Sequence, residues 1–268
     1  GEHERQVGQR APLLAHVPHL ARARVGGEAV VADQQHEVVR QFVRAARRRD
    51  GREGDVGGDF GSDWEEINLM PRPDLRTGPI PTRAKVVSQP QVVALYDKVK
   101  GAVVVAEVET RDEKGNLLFK NTFTVFARGE GGFGGDRGPS AGVAIPDREP
   151  DLEIDVPTLP QQALLYRLCG DRNPLHSDPE FASAAGFPRP ILHGLCTYGM
   201  TCKALVDTLL DGDAAALGSY GARMAGVVFP GETLRVTAWK GDDGYVGNVT
   251  VPARDNAVAL GDVEFRSV

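Results

Sequence analysis

Residues 193–210, HGLCTYGMTCKALVDTLL, place apolar side chains at 195, 198, 202, 205, 206 and 209, the spacing of one helix face. From Ala222 onward the text changes to short β-branched runs, RMAGVVF, ETLRVTAWK, GYVGNVTVPAR and AVALGDVEFRSV, joined by Pro-Gly, Asp-Asp-Gly and Asp-Asn turns. One long helix followed by strands alone constrains the chain to an α+β fold, with an antiparallel sheet wrapped around a helix. Gly194 and Gly199 leave room on that helix for other backbone to come close.

Two shorter helices are expected ahead of it. Thr158, with Gln161 or Gln162 nearby, can cap a helix over residues 160–169 that ends at Gly170. Ser177-Asp178-Pro179-Glu180 reads as a capping box for a helix ending near Gly186, after which FPRPI breaks the chain. Between them lies GDRNPLH, residues 170–176. Pro174 fixes its own φ and pushes Asn173 out of the helical region, so this bend presents Asp171 and His176 from rigid backbone. Both are proton-transfer groups. Singly, such an Asp is usually a cap and such a His usually structural.

The preceding text is of two kinds. GAVVVAEVET (101–110), the turn DEKGN, and LLFKNTFTVFAR (117–128) predict a β-hairpin. A Gly-rich linker follows, GEGGFGGDRGPSAG, whose Gly129–Gly134 spells GxGxxG. No helix begins there to point its N-terminus at a pyrophosphate, so a dinucleotide site is not expected. Residues 1–74 are Arg-rich, contain no Lys, and admit one amphipathic helix over about 33–48. The Arg cluster in RQFVRAARRRDGR reads as a solvated helix end, and a net charge of −6 supplies no overall basic field for nucleic acid. No apolar run approaches the roughly 20 residues of a membrane span. Cys169, Cys196 and Cys202 form no CxxC pair or metal-like spacing, which favours reduced thiols and a cytoplasmic setting. The expected organisation is 1–74, an atypical segment; 75–128; the linker 129–150; and 151–268.

The stretch YRLCGDRNPLHSDPEFASAAGFPRPILHGLCTYGM, Tyr166 to Met200, resembles the signature of the MaoC-like type 2 enoyl-CoA hydratases, which adopt the hotdog fold. The likeness runs on through RMAGVVFPGETLRV and back through GPIPTRAKVV, YDKVKGAVVVAEVETRD and RGEGGFGG, the second half of the first unit in members with two hotdogs. It implies two tandem hotdog units, the first atypical or incomplete, and a homodimer or pseudo-dimer of hotdogs. The implied reaction is reversible hydration of trans-2-enoyl-CoA to (3R)-3-hydroxyacyl-CoA, in fatty-acid or sterol side-chain β-oxidation, with no cofactor and no metal. Asp171 and His176 would be the acid/base dyad, Gly194 would offer its N–H to the thioester oxygen, and Asn173 would orient dyad or substrate. Substrate would also meet Arg172, Pro174, Leu175 and Met224, with Lys98 on the CoA moiety. His193 is expected to be structural, supporting the start of the helix.

One departure stands out. Two-hotdog members carry a His-Gly-Glu-Gln type stretch in the first unit, where this chain has INLMPRPDL. The first unit is therefore either degenerate or replaced in its N-terminal half. That leaves a second reading, a non-catalytic acyl-CoA-binding or assembly subunit, and a weaker third, a hotdog thioesterase.

Overall fold

The computed structural model describes residues 80–139 and 142–268, apart from residue 82. The segment 1–74 and its expected helix over 33–48 lie outside the described residues.

Three strands come first: β1 (Val86–Asp97), β2 (Gly101–Asp112) and β3 (Leu117–Arg128), paired antiparallel in that order. The hairpin of β2 and β3 falls where the sequence predicts it. β1 is a strand that sequence pattern alone does not mark, because Pro90 interrupts its run. It occupies an edge of the sheet, where a missing N–H need not deprive a neighbour. The buried apolar residues of this sheet are few, Ala102 and Val104, with Val92, Leu95, Ala127 and Phe133 packed against them; Ser88, Asp97, Thr110 and Thr122 are buried polar residues of the same strands.

The Gly-rich stretch after β3 wraps a carboxylate, not a phosphate. Asp97, only 5% exposed, accepts backbone N–H bonds from Val99 and Gly132 on Oδ1 (both 2.8 Å) and from Gly134 on Oδ2 (2.7 Å). Gly132 and Gly134 have φ of +78° and +82°, a conformation other residues adopt only under strain. These bonds, the one from Gly132 foremost, hold the Asp97 carboxyl at about 2. Stability from this group is therefore present above the ordinary carboxylate range near 4 and is lost as pH falls toward 2. Asp97→Asn turns an amide donor toward one of these N–H groups. Its melting temperature should fall, and its acid destabilisation between pH 4 and 2 should be shallower than in the parent; equal melting curves across that range would refute the assignment.

The second unit begins with β4 (Leu152–Pro157), a strand not expected from the sequence. Helix α1 (Gln162–Tyr166) follows and tightens into a 3-10 turn, Arg167–Cys169, ending at Gly170 with φ +112°. The predicted cap at Thr158 does not form. Thr158 Oγ1 donates to the Glu232 carbonyl at 2.7 Å and accepts from the Gly231 N–H at 2.9 Å, tying this segment to a β-turn instead. Helix α2 (Pro179–Ala184) is capped by Asp178, not Ser177: its carboxylate accepts from the N–H groups of Glu180 and Phe181.

Helix α3 (Gly194–Leu209) is followed by β5 (Leu217–Met224), β6 (Thr233–Gly241), β7 (Gly244–Val251) and β8 (Ala257–Ser267). The sheet order is β4-β6-β7-β8-β5, all pairs antiparallel, with the helix inserted between the two edge strands. That is the hotdog arrangement. β5 lies earlier than RMAGVVF predicts, since pairing with β8 stops at Met224 and the chain then turns away. Along β6, Leu234, Val236 and Ala238 alternate inward, meeting Val249 and Val251 of β7 and Leu260, Val263 and Phe265 of β8. From α3 the buried residues are Cys196, Thr197, Thr201, Leu205 and Val206, so the inward face is rotated from the expected stripe, and Leu195 is 46% exposed. Each large apolar side chain buried here contributes about 1.5–3 kcal/mol, so the helix–sheet contact carries the fold.

Candidate active site

The bend after α1 is rigid for reasons visible atom by atom. Asp171 Oδ1 accepts from the Asn173 N–H at 3.1 Å, and Asn173 Oδ1 accepts from the Leu175 N–H at 3.0 Å, two successive side-chain-to-backbone turns. Pro174–His176 then form one 3-10 turn with Asn173 as its cap. Arg167 clasps the bend from behind, its Nη1 donating to the Arg172 carbonyl (2.8 Å) and to Ser177 Oγ (3.1 Å). Arg172 and Pro174 are exposed, while Asn173 and Leu175 are half-buried.

His176 is aimed by a backbone carbonyl. Its Nδ1 lies 2.9 Å from Ile191 O, so Nδ1 carries the proton and donates, leaving the Nε2 lone pair of the neutral ring free. Burial pushes the His176 pKa below its ordinary value of 6.5, against the opposing pull of the Ile191 bond and Asp171. The neutral, proton-accepting form is thereby favoured.

Behind this ring stands His193, 2% exposed, stacked on His176 with centroids 3.7 Å apart and planes at 27°. Its Nε2 is 4.0 Å from Asp171 Oδ2, and neither ring nitrogen has a hydrogen-bond partner among the described residues. His193 is the N-cap residue of α3, its carbonyl accepting from the Cys196 and Thr197 N–H groups, while its side chain makes no cap and packs against His176. ILHGL contains the residue, yet nothing local in that string says that its ring turns back toward the bend 17 residues earlier. Tyr166 and Arg167 were likewise unmarked, the former with its ring centroid 4.7 Å from that of His193.

One donor atom each of Asp171, His176 and His193 lie within 4.8 Å of one another, close enough to raise the question of a metal. The stacking argues against it. Two nearly parallel rings send their in-plane lone pairs side by side, not to one point, whereas a tetrahedral centre needs convergent donors.

Gly194 opens α3, where the first N–H groups have no partner inside the helix and the helix dipole is positive. It is exposed, and a Cβ placed on it would sit 3.1 Å from Met224 Sδ, so the two expected site residues are neighbours across the helix start. Lys98 belongs to the turn between β1 and β2, where its Nζ donates to the Pro139 carbonyl at 2.8 Å. No contact among the described residues links it to Asp171 or His176. The assembled group is thus a carboxylate, a neutral imidazole with a free lone pair, and a helix N-terminus following directly on His193. Together they can abstract and return a proton beside a donor for developing negative charge.

Comparison with known proteins points the same way. The MaoC like domain matches residues 142–259, and the MFE-2 hydratase 2 N-terminal domain matches residues 74–129. Enoyl-CoA hydratase ChsH3 of Mycobacterium tuberculosis is 59% identical over 187 residues, 70% of this chain and 65% of that protein. The peroxisomal enoyl-CoA hydratase 2 of Arabidopsis thaliana is 41% identical over 201 residues, 71% of this chain and 65% of that one. The chain therefore spans just under two thirds of the length of these relatives. The crystal structure of a MaoC-like dehydratase from Phytophthora capsici superposes with a TM-score of 0.72 at 32% identity, over 81% of this chain and 73% of that one. With the hotdog order, the Asp171/His176 bend and this breadth of similarity in hand, the chain belongs to the MaoC-like dehydratase family.

Proposed function

We infer that the protein is a hydro-lyase that adds water reversibly to a trans-2-enoyl-CoA, giving the (3R)-3-hydroxyacyl-CoA. The observation that carries this reading is the fixed tautomer of His176: Ile191 O takes Nδ1–H, which frees Nε2 as a base on a ring that has one nitrogen within 4.8 Å of an Asp171 oxygen. Water held between Asp171 and Nε2 loses one proton to Nε2 as its oxygen bonds to the β-carbon. The C=C electron pair moves toward the thioester, whose oxygen takes negative charge opposite the Gly194 N–H. As that enolate collapses, the imidazolium returns the proton to the α-carbon, so one water is consumed and the dyad is regenerated. A hydratase activity in the relatives named above supports the same reading.

In this reading residues 151–268 are the catalytic hotdog, 129–150 the linker, and 75–128 the second half of a first unit that lodges the acyl chain. Lys98 sits in that half and would meet the CoA moiety, while Met224 beside Gly194 would touch the acyl group near the reacting carbons. Hotdog pairing, either between copies or between the two units, is the expected assembly.

Loss of the conjugated enoyl-thioester absorbance tests the proposal, with crotonyl-CoA set beside a long-chain or steroidal enoyl-CoA. Crotonyl-CoA should turn over, and a chelator such as EDTA should leave its rate unchanged, since the dyad supplies the proton chemistry. Turnover of neither substrate would favour the acyl-CoA-binding subunit, and loss of activity with EDTA would restore the metal reading.

A further inference from the structure

Among the described residues His193 is a buried side chain that stacks on His176 and comes within 4.0 Å of Asp171, and the mechanism above gives it no step. A buried polar group without a partner is unfavourable, and a phenyl ring would fill the same space without that penalty. Its retention as a histidine calls for a reason at the site. The ring faces His176 at 3.7 Å and brings Nε2 to 4.0 Å from Asp171 Oδ2, on the oxygen that Asn173 leaves free. We propose that His193 is a positioning residue: its neutral imidazole backs the face of His176 and excludes water from it, while its Nε2, 4.0 Å from Asp171 Oδ2, flanks that carboxylate without a hydrogen bond.

The surroundings keep this ring uncharged. Tyr166 on α1, Arg167 in the 3-10 turn, and Asp171 and His176 on the bend face it, and Cys196 on α3 is a thiol raised to about 11 by burial. Burial first, then the neighbouring His176, lowers the His193 pKa to about 4, with Asp171 opposing. A charged His193 would set a second cation against the ring that must accept a proton. At neutral pH the backing ring stays neutral.

This inference rests on the hydratase reading, so its test has an arm that does not. His193→Phe keeps the stacked face and removes the nitrogens; His193→Ala removes both. In the Phe variant kcat for crotonyl-CoA should fall about tenfold with KM within about twofold, and the His176 titration followed by NMR of the imidazole should match the parent. In the Ala variant kcat should fall about a hundredfold, and the His176 pKa should rise toward 6.5 as water reaches its face. Parent-like kcat in the Phe variant, or an unshifted His176 titration in a folded Ala variant, would overturn the proposal. If the parent itself does not hydrate enoyl-CoA, the hydratase reading fails, yet the titration arm still tests whether His193 controls His176.

Discussion

Asp171→Asn and His176→Gln should each lower crotonyl-CoA hydration by about 10²–10⁴-fold, the usual worth of a positioned proton-transfer group, while the fold survives. The survival follows from how the bend is built. An Asn at 171 keeps an oxygen to accept the Asn173 N–H, and the Asn173 cap and the Arg167 clasp are untouched by either change. Melting temperatures should therefore move by only a few degrees. Turnover at the parent level in either variant would remove that residue from the chemistry.

The parent's pH profile adds a second check. His176 must be neutral to accept a proton, and burial holds its pKa below 6.5. Protonation occurs as pH falls through that lowered value, so kcat/KM should be level at neutral pH and should drop on an acid limb whose midpoint lies below 6.5. The limb should vanish in His176→Gln. Stability runs in the same sense: the unfolded histidine binds its proton more tightly than the folded one, so the folded state loses stability as pH falls from 6.5 through the folded value. An acid limb centred above 6.5 would contradict the burial of this ring.

What the sequence revealed, and what it hid, divides along physical lines. GDRNPLH was legible because Asn173-Pro174 leaves few backbone options, and the structure places Asp171 and His176 where that bend requires. The strands from β6 to β8 were legible because alternation and turn residues agree. β1 was obscured by Pro90, which local propensity penalises and only an edge position forgives. The Thr158 cap does not form because its hydroxyl is taken by Glu232 and Gly231, a contact 73–74 residues away that no local rule contains. The stripe on α3 is shifted from the apolar spacing: Thr197 and Thr201 are buried while Leu195 stays out. His193 is legible as the residue at the helix start, but not as a neighbour of Asp171 and His176. Its role depends on a ring-to-ring contact between the bend and the start of α3, and so on tertiary structure alone.

Gly194→Val should reduce kcat/KM by about 10²–10³-fold, the cost typical of a lost oxyanion donor, with a much smaller loss of stability. Gly194 has no positive φ, so its helical backbone suits any L-residue, and the position is exposed. What a side chain meets first is Met224 Sδ, 3.1 Å from the Cβ position, at the flexible part of a side chain that can give way. The fold can therefore accommodate the added atoms. The substrate cannot, because a branched side chain occupies the space through which a thioester oxygen reaches the first N–H of α3. Gly194→Ala should fall between, and combining it with Met224→Ala separates two effects: crowding against Met224 is relieved by the second change, whereas obstruction of the N–H is not. If the double variant regains parent turnover, Gly194 serves only as packing space for Met224. If it stays impaired while melting like the parent, the glycine is there to keep the N–H open to the oxygen that gathers charge.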